Sequence, residues 1–141
     1  MEEKVKIVIT SNDEEKFNEI REYYINEIQY YKDEIQCFIN EIHSNTDEIE
    51  NYIDTPNCIE KIEHCIEELQ NCIEEIQSCI DSISLFTNTL EDYDKLFWLI
   101  QNRLPDKKLV FYHGRSGDYL INDNDYWEVM QEAVINENLR K

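Results

Sequence analysis

A chain of 141 residues with a formal charge of −19 is enough sequence for one domain, and charge of that sign repels both nucleic acid and anionic membranes. No apolar run approaches the ~20 residues of a membrane span and nothing resembles a signal peptide, so no membrane contact and a cytoplasmic setting are expected. Five cysteines, an odd number, do not make a secreted disulfide framework. On a helix, cysteines seven apart sit ~10 Å apart along the axis, beyond the ~7 Å Cα limit for a bridge, which points to thiols in a reducing cytosol.

The placement of the charge is more informative than its size. Residues 13–94 hold 23 Asp and Glu against Lys16, Arg21, Lys32 and Lys61, whereas the last 47 residues balance seven acids with seven bases. Partners of the acidic region should therefore be basic. The abundance of Ile, Asn, Tyr and Glu suggests an AT-rich coding genome, such as that of a low-GC bacterium or its phage.

Taken in order, Lys4–Thr10 is a β-branched strand with Val5, Ile7 and Ile9 on one face. Ser11, Asn12 and Asp13 offer N-caps for a helix from Glu14 to about Ile53. That helix repeats every seven residues, at Asn26-Glu27-Ile28, Asp33-Glu34-Ile35, Asn40-Glu41-Ile42 and Asp47-Glu48-Ile49. With these isoleucines at heptad position a, position d holds Tyr24, Tyr31, Phe38, Asn45 and Tyr52. Asn45 is expected to fix the register. Asp54–Asn57 is a turn, with Thr55 as N-cap and Pro56 at the first helical position.

A second heptad helix follows, opening its repeats at Cys58, Cys65, Cys72 and Cys79. Its expected seam is Ile59, Ile66, Ile73 and Ile80 at a, with Ile62, Leu69, Ile76 and Ile83 at d. The cysteines then fall at g as small apolar packing groups. Folding back antiparallel would set Ile59 by Tyr52 and Ile80 by Tyr31. A third helix, about Leu90–Leu104, carries Leu90, Tyr93, Phe97, Ile100 and Leu104 on one face until Pro105 stops it. Lys108–His113 and Asp118–Ile121 are strands joined by a glycine-containing loop. Asn122 or Asp123 caps a last helix with Tyr126, Trp127, Val129, Met130, Ala133 and Val134 as its apolar side.

The expected fold is thus α+β and predominantly helical, in a single domain of residues 1–141. A long antiparallel coiled-coil hairpin (14–86) joins a small three-stranded head with two further helices (90–141 with strand 4–10). Cys at g on one helix and Ile25, Ile39 and Ile53 at e on the other make faces wider than a two-helix seam needs. Either a third helix covers the hairpin or a homodimer forms a four-helix bundle. The dimer is favoured, through Cys65, Ile66, Cys72 and Ile73.

No catalytic residue, cofactor or metal site is expected. The segment His113-Gly114-Arg115-Ser116-Gly117-Asp118 gathers a nucleophile, an imidazole and a carboxylate, but within a hairpin turn and not in a nucleophile elbow. A weaker reading is an anion cradle there, with Lys107, Lys108 and Arg115 nearby. Cysteines seven apart lack zinc-site spacing. The acidic hairpin is the strongest functional signal. Residues 33–54 and 60–81 together carry −13 over ~33 Å, one charge per ~2.5 Å, against one per ~1.7 Å of duplex DNA. Tyr23, Glu27, Tyr30, Glu34 and Glu41 share one stripe, and Glu67, Glu68, Glu74 and Glu75 line the second helix. Tyrosines among carboxylates suit a protein interface. Tyr23 and Tyr30 packing against the third helix is the alternative. The expected function is a non-enzymatic inhibitor whose hairpin mimics nucleic acid and blocks a basic DNA- or RNA-handling protein, by analogy with phage anti-defence and anti-CRISPR proteins. A coiled-coil scaffold is the alternative.

Overall fold

A computed structural model of the chain describes residues 5–56, 58–114 and 117–139. Its elements are β1 (Val5–Ile9), α1 (Glu14–Tyr52), α2 (Cys58–Asn102), β2 (Leu109–His113), β3 (Tyr119–Ile121) and α3 (Asp123–Leu139). The architecture is predominantly helical α+β, with a helical hairpin and a three-stranded antiparallel sheet. The expected third helix is instead the continuation of α2. Thr87-Asn88-Thr89 holds no proline or glycine, so nothing there removes a backbone donor and the helical ladder runs through. One further helix, not two, completes the head.

The chain divides into two compact units, one of Asn26–Phe86 and the other of Met1–Ile25 with Thr87–Lys141. In the first, α1 and α2 pack antiparallel, with Cys65 opposite Glu48, Cys72 opposite Glu41 and the Tyr31 ring stacked on Phe86 at 5.9 Å. On α1 the seam is the expected one: Ile28, Tyr31, Ile35, Phe38, Ile42, Asn45, Ile49 and Tyr52 are all half-buried.

On α2 the expected d positions Ile62, Leu69, Ile76 and Ile83 stay in the seam, but its other half lies one residue earlier than expected. Cys65, Cys72 and Cys79 are buried, whereas Ile59, Ile66, Ile73 and Ile80 are exposed, Ile73 by 60%. The seam is therefore Ile62, Cys65, Leu69, Cys72, Ile76, Cys79 and Ile83. In this register the thiols lie level with Ile35, Ile42 and Ile49 of α1, between the layers that hold its larger side chains Tyr31, Phe38 and Tyr52.

Two local expectations also change. The Asn45 amide donates to the Glu41 carbonyl at 3.1 Å and the Thr46 hydroxyl to the Ile42 carbonyl at 2.8 Å. Both polar side chains are satisfied on their own helix, so Asn45 does not set the register by bonding across the seam. In the turn, the Thr55 hydroxyl and amide donate to the Tyr52 carbonyl. Thr55 serves the orphan carbonyls at the end of α1 and not the start of α2, and Pro56 precedes α2. Asn57 lies outside the described residues.

In the second unit, β2 is the central strand, antiparallel to β1 (Ile7 by Phe111) and to β3 (Phe111 by Ile121). Ile9, Leu109 and Phe111 from the sheet meet Phe17 and Ile20 of α1, Leu96 and Ile100 of α2, and Val129 of α3 in a closed core. Phe17 stacks on Phe97 at 4.2 Å, and Tyr93 sets its ring edge-on to Phe111 at 4.9 Å. The hydroxyls of Tyr24 and Tyr93 both donate to the Tyr119 carbonyl, and Tyr93 accepts from the Ile121 amide. These bonds satisfy the phenols in the core, and burial raises the pKa of both.

The start of α3 is tied to the sheet. Asn122 Oδ1 accepts the Asn124 amide at 3.0 Å as an N-cap, the Asn122 amide donates to Val110, and Asp125 accepts from the Val110 amide. At the start of α1, the Asp13 carboxylate accepts from the amide and hydroxyl of Thr10, both at 2.8 Å. These bonds hold its pKa below the ordinary 3.8, so its contribution is complete above that pH and is lost as pH falls through the lowered value. Asp13→Ala is expected to reduce thermal stability at neutral pH. The difference from the parent chain should narrow as pH falls through the lowered value and the parent loses the charge as well; melting curves across pH check it.

Candidate interaction surface: the two edges of the hairpin

Consecutive helical residues are turned by about 100°, so residues flanking the α2 seam on its two sides present different chemistry. On one flank lie Lys61, Glu68 and Glu75, on the other Ile59, Ile66, Ile73 and Ile80. Glu34, Glu41 and Glu48 of α1 follow the first flank. Glu48 Oε2 accepts the Cys65 thiol at 3.6 Å and Glu41 Oε2 the Cys72 thiol at 3.4 Å, while Cys79 feels Glu34 and Glu75. One edge of the hairpin is thus a row of carboxylates from both helices. Lys61 closes its end, its ammonium 5.0 Å from the centre of the Tyr52 ring.

This geometry sorts the expected interface residues. Glu34, Glu41, Glu68 and Glu75 come together on the acidic edge, and Glu67 and Glu74 are exposed on the outer face of α2. Tyr30 is exposed, its ring edge-on to Tyr31 at 5.2 Å, and Glu27 is half-buried one turn before it. Tyr23 belongs to the other unit, where its ring lies 5.1 Å from Tyr24 and 5.6 Å from Tyr119, and close to Gly117. Of the expected stripe, Glu27, Tyr30, Glu34 and Glu41 belong to the hairpin unit. Among the expected oligomerisation residues, Cys65 and Cys72 are inside the seam and only Ile66 and Ile73 face outward.

The hairpin unit holds 15 Asp and Glu against Lys32 and Lys61, and among the described residues no acidic side chain is buried. Like charges at helical i,i+3 and i,i+4 spacings, as at Glu60, Glu63 and Glu67, destabilise by ~0.2–0.5 kcal/mol per pair. His64 Nε2 lies 3.7 Å from Glu68 Oε1 on the same helix. Such a surface costs stability.

The cysteines sit where they are chemically quiet. Burial, then the facing glutamates, raise the pKa of Cys65 and Cys72 above 9.0, and burial beside Glu34 does the same for Cys79. A raised folded-state value means that their contribution is whole below the unfolded pKa and is lost as pH climbs through the folded one. With the thiolate scarce, Cys37 (exposed) is expected to alkylate first, Cys58 (half-buried) next, and the three seam thiols only on unfolding. Mass spectrometry of a timed iodoacetamide reaction checks that order. Among the described residues, no three His, Cys, Asp or Glu side chains converge as a metal-ligand group.

In the head, the loop between β2 and β3 is a turn closed by Gly114 and Asp118 backbone bonding, with Gly117 at φ 88°. His113 stacks flat on Tyr119 at 4.2 Å; Arg115 and Ser116 lie outside the described residues. Lys107 does not face an anion cradle, because its ammonium bridges Glu128 and Glu132 at 2.9 Å each, which raise its pKa. No helix is long and apolar enough among the described residues to cross a membrane. Compared with known protein families, curated proteins and solved structures, the chain matches none.

Proposed function

We propose that this chain is a non-enzymatic binding protein whose acidic hairpin engages a basic, nucleic-acid-handling protein and blocks it as a nucleic-acid mimic. The observation that carries the reading is the alignment of Glu34, Glu41, Glu48, Glu68 and Glu75 from two helices along one edge. A row of carboxylates offers a basic groove what a phosphate backbone offers it. Phage-encoded inhibitors of host defence, acting in the host cytoplasm, are the setting that this size and charge suit.

The test is competition. The tagged chain is used to capture partners from a low-GC bacterial lysate at low salt, and the captured protein is then challenged with duplex DNA. Mimicry requires a basic nucleic-acid-binding protein that is released by DNA and by high salt. It also requires loss of capture by the Glu67, Glu68, Glu74 and Glu75 to Gln variant; capture indifferent to all three sinks it. A second reading, a coiled-coil oligomerisation or scaffold module, draws on a different observation, the exposed isoleucine row of α2.

A further inference from the structure

We infer that the isoleucine edge of the hairpin takes a second copy of this chain, two hairpins closing into an antiparallel four-helix bundle. The inference rests on the oligomerisation reading and names its surface and partner. Ile59, Ile66, Ile73 and Ile80 recur every seven residues over ~32 Å of α2, all of them exposed. Together with the buried seam they make an apolar face of three positions in seven. That is the pattern of a helix in a bundle, whereas a two-helix seam needs two. By heptad phase, Ile39 and Ile53 of α1 fall on the same edge.

Charge decides what covers it. On this strongly acidic unit the residues bordering the isoleucine row are mostly uncharged: Gln70 and Gln77 on α2, Gln36 and His43 on α1, with Glu63 and Glu50 the exceptions. A basic helix would want rows of carboxylates on both sides, and the α1 side offers Glu50 alone there. Two copies of a −19 chain would avoid each other's acids, which this edge permits. The Cys79 and Glu34 pairing sets Lys32 level with Ile80. In an antiparallel, two-fold contact the Ile80 end of one copy meets the Ile59 end of the other. Lys32 then approaches Glu60 and Glu63 of the second copy, whereas a parallel contact would set like charges together. The acidic edges remain outward and free.

Sedimentation equilibrium of the full chain under reducing conditions tests this. A two-chain species is expected at micromolar concentration, and it should hold or tighten in ~1 M NaCl because apolar burial dominates. The Ile66→Gln, Ile73→Gln double variant should weaken self-association at least ~10-fold with its circular dichroism unchanged, since these side chains are exposed within one chain. Lys32→Glu should weaken it as well, most clearly at low salt. A parent chain that stays monomeric at ~100 μM, or a dimer indifferent to the double variant or dispersed by high salt, overturns the inference. Competition with DNA reads the acidic edge and needs no dimer, so each reading can fail alone.

Discussion

Cys72→Asp is expected to destabilise the hairpin by about 3–5 kcal/mol, the cost of leaving a charge buried without a partner. Cys72 is 3% exposed, with Glu41 Oε2 at 3.4 Å and Glu68 also acting on the thiol. An introduced carboxylate would meet two others with no base beside it. It must stay ionised against that field or take up a proton, and both options subtract from stability at neutral pH. Urea melts followed by helical circular dichroism measure the loss. Cys72→Ser isolates the cause, because its hydroxyl still donates to Glu41; it should cost only about 1 kcal/mol. Acidification to about pH 4 should recover part of the loss in the Asp variant and little in the Ser variant. Equal losses in both would mean that the thiol's shape matters and its charge environment does not.

Much of this architecture is legible in the heptads. The Asn/Asp-Glu-Ile repeat places α1 and its seam, and the turn at 54–56 follows from the break in phase and Pro56. The α2 seam is harder. Cys and Ile adjoin in every repeat, and hydrophobicity favours Ile for the interior, yet the fold buries the thiols and leaves the isoleucines exposed. Position by position, α2 alone cannot disclose that. The same shift turns an expected seam into an exposed edge, so the excess apolar width was visible but assigned to the wrong residues. Thr87-Asn88-Thr89, between the expected second and third helices, is weak in helix propensity, yet weak propensity does not stop a helix whose neighbours are packed. On α3, Trp127 and Val134 share the apolar pattern with Val129 and Ala133 but remain exposed. A pattern counts apolar residues, whereas burial depends on whether the opposing surface reaches them. Nothing local announces that Lys107 spans Glu128 and Glu132, a contact made only by the fold.

Phe111→Ala should be the most damaging single truncation in the head, at about 3–5 kcal/mol. The ring is fully buried at the middle of the central strand, between Ile7 on β1 and Ile121 on β3, with the Tyr93 ring edge-on. Backbone pairing on both sides holds β2 in place, so the strand cannot move in to fill the space. The full transfer and cavity terms then apply. Tyr93 also bonds the Tyr119 carbonyl and the Ile121 amide, so a loosened ring endangers the β3 edge too. Against a typical stability of ~5–15 kcal/mol, the melting temperature should fall by on the order of 10 °C or more. Leu120→Ala is the control. Leu120 is paired in the same sheet but 49% exposed, and its truncation should cost less than about 1 kcal/mol. If the acidic edge is the binding surface, Phe111→Ala should still compete with DNA for the basic partner at temperatures below its own melt. Loss of competition there would move the interface to the head, where Tyr23 lies.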